Sequence, residues 1–252
     1  GELASAVIDL KNAALKNPKN AEARWLLGKL YVELGNGEAG EKELRRAIEL
    51  GIGFHSVVIP LGKALNLQGK YQEVLDEVKV NSVDSQSLKA KVLTIRADAL
   101  RDLGQLDFAQ KEYRKAIEFD VENTSSYVGL SRLYVRQGNG ERAQEILNQA
   151  KSKNPNHQSV LLMEGDLNYF LGQYEESQKA YDQVLQTDGN HLLARLGLSL
   201  SLLAQKEIEA AAKHLDRLLQ SYPDHIYTNY LRGLAAFELK NYEDSKKYTE
   251  TV

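Results

Sequence analysis

Three histidines have the spacing that most readily suggests chemistry. His157, His191 and His225 follow one another at intervals of 34 residues, and histidine is a common metal ligand. A zinc ion needs its ligands about 2.0–2.1 Å away, whereas packed helices lie about 8–10 Å apart. Because each interval is a whole repeating unit, the three side chains cannot reach one ion without distortion. We therefore expect loop or helix-capping histidines, with no metal site and no cofactor.

Two glycine-rich segments, GNGEAGEK at 35–42 and GNGERAQ at 138–144, precede predicted helices and could be imagined to bind an anion. A phosphate-binding loop follows a strand, and neither segment does, so we interpret both as turns between helices. The sequence contains no GxSxG, HExxH or P-loop motif. With no local signature for a nucleophile, a base and an orienting group, we predict no catalytic residue and no enzyme activity.

Composition narrows the possible partners. The 252 residues include 32 basic and 35 acidic side chains, spread along the chain, for a net charge of -3. Nucleic-acid binding is not expected from such a balance. The absence of cysteine excludes disulfides and thiolate metal sites. The most apolar stretch, residues 192–204, contains Arg195 and is shorter than the roughly 20 residues that span a bilayer, so no transmembrane segment is predicted.

A regular glycine spacing organises the whole chain. Glycines recur every 34 or 35 residues, and Lys206 and Lys240 continue the register; the glycines are Gly35, Gly69, Gly104, Gly138 and Gly172. Such a period is typical of stacked helix pairs. It predicts one array over residues 1–252, with partial units at 1–20 and 226–252 and full units at 21–54, 55–89, 90–123, 124–157, 158–191 and 192–225.

Within each unit, small residues recur at the eighth position, as in Gly28 and Gly165, and usually at the twentieth, as in Gly40 and Ala109. Close crossing of two helices needs small side chains at both places. The segments AEARWLLGKLYVELGN and NYFLGQYEESQKAYDQVL carry this pattern best. Through them the whole chain resembles the tetratricopeptide repeat (TPR) family. The resemblance implies an all-α, right-handed superhelix of about fifteen helices, in which the first helix of each pair lines a concave groove.

One unit departs from the pattern. The polar stretch KVNSVDSQS, residues 79–87, falls where a second helix should continue. We expect a shortened helix and a local irregularity near 79–88. The two ends lack the polar caps of a complete array, so we also expect the chain to be a piece of a longer protein.

Longer segments, including NPKNAEARWLLGKLYVELGNGEAGEKELRRAIELG and YPDHIYTNYLRGLAAFELKNYEDSKKY, resemble a narrower family, the TPR-repeat lipoproteins associated with the PEP-CTERM/exosortase systems of Gram-negative bacteria. This resemblance implies an envelope or periplasmic location and a link to exopolysaccharide production. The lipid-bearing cysteine of that family is absent from this sequence. A cytoplasmic location stays open.

In each first helix the second, fifth, ninth and twelfth positions of the unit form one stripe, which the resemblance to TPR proteins places on the concave groove. This groove stripe changes character along the chain, from mixed in the earlier units to apolar and aromatic in the last three. The predicted partner-binding residues are Trp25, Lys29, Lys63, Arg101, Arg132, Leu162, Tyr169, Leu196, Leu200, Tyr227, Tyr230 and Phe237. For Leu196 and Leu200, packing between neighbouring first helices explains the pattern equally well. For Tyr169, Tyr230 and Phe237, groove exposure is the favoured interpretation.

These features predict a non-catalytic scaffold that binds a segment of a partner protein in its groove, in a bacterial envelope system for exopolysaccharide or protein export or sorting. A second hypothesis is the repeat arm of an enzyme, such as a glycosyltransferase or peptidase, whose catalytic domain lies outside this chain. A third is self-association through open solenoid ends.

Overall fold

Residues 2–250, the part of the chain that the computed structural model describes, form fifteen α-helices, one short 3₁₀-helix and no strand. The predicted all-α class and the predicted number of helices are confirmed. Among these helices, none combines the length and the apolar character needed to cross a membrane.

Two compact units divide the chain, residues 1–133 and residues 134–252. The single array predicted over residues 1–252 stays a prediction. The helices of the first unit are α1 (Glu2–Lys16), α2 (Ala21–Glu33), α3 (Gly37–Glu49), α4 (Phe54–Leu67), α5 (Tyr71–Glu77), the 3₁₀-helix (Val80–Ser82), α6 (Gln86–Asp102), α7 (Leu106–Phe119) and α8 (Thr124–Arg136). Among them, α2 packs against α3, and α6 packs against α7.

The boundary between the units falls inside α8. The second unit continues with α9 (Gly140–Lys153). Three further helix pairs follow it: α10 (Gln158–Phe170) with α11 (Tyr174–Thr187), α12 (Leu192–Ala204) with α13 (Ile208–Ser221), and α14 (Ile226–Glu238) with α15 (Tyr242–Thr249). Each unit has its own apolar core: Leu61 and Leu65 are fully buried in the first, and Met163 and Leu215 in the second.

Left-handed backbone at one position per repeat explains the glycine spacing. The five punctuating glycines have φ between 71° and 78°, a region that costs other residues free energy because of their Cβ. Lys206 and Lys240 occupy the same position with φ of 63° and 61°. The register predicted from the sequence is therefore the register of the turns, and two repeats make the turn with a lysine.

Glycines also permit the close crossing of α2 and α3. A Cβ added to Gly28 on α2 would lie 2.6 Å from Leu44 Cγ on α3, and one added to Gly40 would lie 2.7 Å from Val32 Cγ2. Carbon atoms do not approach that closely. Gly40 therefore weakens the helix but allows the crossing, as its position in the repeat predicts.

The second pair of the first unit is irregular, as predicted. α5 ends at Glu77 after seven residues and is followed by the 3₁₀-helix, whereas the second helix of the next pair, α7, has fourteen residues. The open carbonyls at the end of α5 are bound by cations. Arg96 donates to the carbonyl oxygens of Leu75 (3.0 Å) and Val78 (3.1 Å), and Lys79 donates to Leu75 (2.8 Å). Cations there also complement the helix dipole.

A buried carboxylate ties α3 to the next pair. Glu41 is 9% exposed and accepts hydrogen bonds from Arg45 (2.7 Å), Lys70 (2.7 Å) and Gln68 (2.8 Å). Burial alone would raise the pKa of Glu41, but the three hydrogen bonds together outweigh it and hold the pKa at about 2.

One arginine position in the first helix has different partners in different repeats. Arg24 on α2 forms an ion pair with Glu43 on α3 at 2.7 Å. At the corresponding places in the second unit, Arg195 is 4% exposed and its Nη1 lies 3.3 Å from Nδ1 of His214, an uncharged partner when it accepts that bond. Burial lowers the pKa of His214, and the charge of Arg195 lowers it further.

Candidate partner-binding site

The three regularly spaced histidines cap helices. Each lies just before a first helix and its Nδ1 accepts a hydrogen bond from a backbone N–H in the first turn: His157 from Ser159 (3.3 Å), His191 from Ala194 (3.2 Å) and His225 from Thr228 (3.2 Å). The capping interpretation is confirmed, because these rings satisfy backbone donors that the helix leaves open.

Asn36 and Asn139, in the two glycine-rich segments, have the same role before second helices. Their side chains accept from the backbone N–H groups of Ala39 (3.0 Å) and Arg142 (3.1 Å). Both segments are capped turns between helices, as the sequence predicts.

In the first unit, α4, α6 and α8 line a cleft of about 490 Å³, called the charged cleft here. Three of the predicted binding residues line it, namely Lys63, Arg101 and Arg132, and Lys63 and Arg132 are exposed. Lys91, Asn66, Asp98 and Asp102 are also in its lining. The cleft therefore combines basic, acidic and amide groups in one place.

Arg101 is held at the base of this cleft rather than presented to a partner. It is 9% exposed, and its guanidinium pairs with Asp98 at 3.0 Å and Asp102 at 2.9 Å. The Tyr113 hydroxyl also donates to Asp98. Burial raises the pKa of Asp98, although a third of its side chain is exposed, while Arg101 and the Tyr113 hydrogen bond oppose that rise. Arg101 thus stabilises the charge of two neighbouring carboxylates of α6.

Trp25 and Lys29 lie outside the charged cleft. The Trp25 ring is half-buried against the core of the first unit, and its Nε1 donates to the carbonyl oxygen of Ser56 at 3.2 Å. The Lys29 ammonium lies 4.7 Å from the centre of that ring. Trp25 therefore joins α2 to the N-terminal end of α4, which is packing between first helices.

In the second unit, large apolar side chains stand exposed on the groove stripe of α10, α12 and α14. We call this set the aromatic face; its members are Tyr169, Leu193, Tyr227, Tyr230, Leu234 and Phe237, with between 37% and 62% of each residue exposed. Four of the predicted residues, Tyr169, Tyr227, Tyr230 and Phe237, belong to it. An apolar surface of this kind marks an interaction site more often than isolated exposed residues do.

Contacts connect three members of the aromatic face, Tyr169, Tyr227 and Tyr230, across α10 and α14. The rings of Tyr227 and Tyr230 stack with centroids 6.3 Å apart at 15°. Burial raises the pKa of Tyr169, and the neighbouring hydroxyls of Tyr174 and Tyr227 raise it further. Tyr169 on α10 is thus within electrostatic reach of Tyr227 on α14.

The leucines of the predicted stripe lie deeper. Leu196 is 7% exposed and belongs to a core cluster with Leu215 and Leu231. Leu200 is half-buried against the same cluster, and Leu162 packs against the neighbouring one. Of the two interpretations of Leu196, the structure supports packing between neighbouring first helices: its side chain fills the space between α12 and α14 and is not presented to a partner.

Two aromatic residues beside the face were not predicted as site residues. Tyr174 and Tyr242 are each the first residue of a second helix, and they contact Tyr169 (centroids 5.6 Å apart) and Phe237 (5.7 Å apart). The sequence does contain a pattern that indicates these contacts: the two residues of each pair are five positions apart, and the second pair follows the first after 68 residues. Each pair holds an exposed ring in place through aromatic contact.

Comparisons with known proteins agree with this architecture. Family models described as tetratricopeptide repeat match residues 1–50, 100–164 and 162–226. The rat (Rattus norvegicus) DnaJ homolog subfamily C member 3 is 27% identical over 206 residues, which cover 76% of this chain and 41% of that protein. This chain spans less than half of the length of the curated relatives it matches.

Two solved structures share the fold at low identity. The APC/C hetero-tetramer Cut9–Hcn1 superposes with a TM-score of 0.71 at 13% identity, covering 99% of this chain and 49% of that one. Yeast Tom70 does so with a TM-score of 0.66 at 16% identity, covering 98% and 54%. Repeat spacing, left-handed turns, helix pairing and these matches agree, and the chain belongs to the tetratricopeptide repeat proteins.

Proposed function

We propose that this chain is a protein-interaction scaffold whose aromatic face holds a segment of a partner protein. The observation that carries the proposal is the exposure of Tyr169, Tyr227, Tyr230 and Phe237 on one side of the second unit. Leaving such rings in water is unfavourable, at about 25 cal/mol per Å² of apolar surface. A partner that covers them gains this free energy, and tyrosine and other aromatic residues are frequent anchors at interfaces.

The partner segment suited to this face is apolar or aromatic and not strongly charged. Apart from Asp166, which accepts a hydrogen bond from Tyr181 at 2.7 Å, the groove stripe of α10, α12 and α14 carries no charged side chain. A segment with a terminal carboxylate or many acidic side chains would find no opposite charge there. An amphipathic helix or extended segment could instead place its apolar side chains on the rings.

Tetratricopeptide repeat proteins are generally scaffolds and not catalysts, and the proposal assigns no catalytic role to this chain. The resemblance to the PEP-CTERM/exosortase-associated proteins supports a further proposal, that the partner is part of an envelope system for exopolysaccharide or protein export or sorting. Fractionation of the source cells tests the location. Recovery with the envelope is expected, and recovery only in the cytosol would contradict it.

Site-specific photo-crosslinking tests the scaffold proposal. A photoreactive phenylalanine analogue placed at Tyr230 should crosslink a defined partner in the source cells. The matched control is the same analogue at Tyr222, which is 41% exposed but lies in the loop before α14 and outside the aromatic face. Equal yields of the same product at both positions would remove the aromatic face as the binding surface.

A further inference from the structure

A second surface lies on α7, on the side of the first unit formed by second helices. Because α5 ends after seven residues, a cleft of about 340 Å³ opens beside α7. Leu75, Leu100 and Phe108 form its apolar part, and Arg96 and Lys111 lie among its charged residues. The polar stretch that interrupts the repeat pattern thus has a structural consequence, which is access to one face of α7.

That face carries a regular set of side chains, called the α7 stripe, made of Phe108, Lys111, Lys115 and Phe119. Their spacing of three, four and four residues places them on one side of the helix. Phe108 is 60% exposed. The ammonium groups of Lys111 and Lys115 lie 5.6 Å and 5.9 Å from the centres of the Phe108 and Phe119 rings. A second cavity, of about 370 Å³, adjoins Lys115 and Phe119.

Neither lysine of the stripe forms an ion pair within the described part of the unit. Among described residues, neither Lys111 nor Lys115 has a carboxylate within 4.0 Å, although Asp107 lies one turn before Lys111. Glu112, the one acidic residue in the lining of the first cleft, is paired with Arg96 at 3.2 Å, and Glu118 lines the second cavity. Two lysines without an ion-paired carboxylate therefore flank the exposed Phe108 ring and the half-buried Phe119 ring, which packs against Leu93 and Ala116.

Corresponding positions on other second helices lack this combination. On α3 they hold Ala39, Lys42, Arg46 and Leu50, and on α13 they hold Ala210, Lys213, Arg217 and Ser221. On α9 the same positions hold Arg142, Glu145, Gln149 and Lys153. The two basic residues of α7 thus recur on α3 and α13 but not on α9, whereas the two aromatic rings are particular to α7 among these four helices. The pairing of rings with lysines is a feature of this helix and not of the repeat.

We propose that the α7 stripe binds an acidic segment of a partner protein that also carries bulky apolar side chains. Carboxylates would pair with Lys111 and Lys115, and apolar side chains would enter the clefts at Phe108 and Phe119. The stripe extends over about 16 Å, from eleven residues at 1.5 Å each, which suits a short helix or strand. A nucleic acid fits less well, because it requires a longer basic track and the whole chain has a net charge of -3.

Fluorescence anisotropy with a labelled acidic peptide, EELEEFEELEEF, tests the proposal on the whole chain. We expect binding that weakens with added salt, and a loss of about tenfold or more for Lys111→Glu/Lys115→Glu, because the variant opposes like charges. Phe108→Ser should also weaken binding, through the lost apolar contact. The matched control is Lys42→Glu/Arg46→Glu on α3, which makes the same change of charge at the same register and should stay within about twofold.

Several outcomes would overturn the proposal: no binding of the peptide, equal binding of the same peptide with glutamine in place of glutamate, or an equal loss in the α3 control. Tighter binding of a labelled poly-dT strand would replace the protein partner with nucleic acid. If the double reversal fails to fold by circular dichroism, Lys111→Gln/Lys115→Gln serves instead, with the same expected direction. Because the stripe lies outside the aromatic face, loss of either surface leaves the other testable.

Discussion

Replacing Lys206 with glycine should stabilise the protein. Lys206 lies in the turn between α12 and α13 with φ of 63°, where five other repeats have glycine, and its side chain is exposed. A residue with a Cβ pays about 1–2 kcal/mol for left-handed backbone. Glycine removes that cost but gives the unfolded chain more freedom, worth about 0.4–1 kcal/mol. The difference is a net gain of about 0.5–1 kcal/mol.

Lys240, with φ of 61° in the next repeat, should respond in the same way. Because the two turns belong to different helix pairs, 34 residues apart in the sequence, we expect their effects to add. The double variant is then expected to gain about 1–2 kcal/mol. Urea unfolding followed by circular dichroism measures this as a higher midpoint at an unchanged slope.

The reverse substitution is the matched control. Gly138→Lys puts a lysine into the same turn position, where φ is 75°, and a Cβ there meets no atom within 4 Å. Any loss of stability is therefore due to the backbone and not to a clash. If Lys206→Gly lowers the midpoint, or if Gly138→Lys leaves it unchanged, left-handed strain is not what the glycine spacing relieves.

Three further variants test the packing and the electrostatics. Glu41→Gln should destabilise the protein by about 2–3 kcal/mol at neutral pH, because it removes the charge that three donors stabilise. Since the pKa of Glu41 falls from 4.5 to about 2 on folding, the wild type should keep its full advantage above pH 4.5 and lose it as the pH falls toward 2. The same dependence of stability on acid pH in the wild type and the variant would contradict this. His214→Glu should raise the melting temperature, because it gives Arg195 a carboxylate partner. It should also remove the decline in stability below pH 6.5, where His214 takes up a proton in the unfolded chain before it does so in the folded protein. A lower melting temperature of the variant at pH 7 would count against this prediction. Gly28→Ala should cost about 1–3 kcal/mol through its clash with Leu44, despite the better helix propensity of alanine; a more stable variant would show that α2 and α3 can move apart.

The repeat register was predictable because it rests on backbone geometry. A position that needs positive φ selects glycine, and that selection appears as a period in the sequence. The shortened α5 was predictable for a related reason, since in the polar stretch KVNSVDSQS Asn81 occupies the register at which other second helices have Ala47, Ala116 and Ala150. Both features depend on local chemistry that the chain carries in order.

The state of individual groove residues was not predictable in the same way. Leu196 and Tyr230 occupy the same register in successive repeats, yet one is 7% exposed and the other 48%. The difference arises because Leu196 has Leu231 of α14 beside it, and spacing within one helix does not report that neighbour. Arg101 is buried for a similar reason, because Asp98, Asp102 and Tyr113 converge on it in three dimensions.

The central claim, that the aromatic face binds a partner, is tested most directly by the affinity of Tyr230→Ala/Phe237→Ala for the partner that crosslinks at Tyr230. Truncated aromatic anchors typically cost about 2 kcal/mol or more each, so the account predicts a loss of about thirtyfold for each single variant and of several hundredfold, from about 4 kcal/mol, for the double variant. Melting should stay near that of the wild type, since the two residues are 48% and 56% exposed. Unchanged affinity, or a fall in melting temperature comparable to that of the core variant Leu215→Ala, would contradict the account.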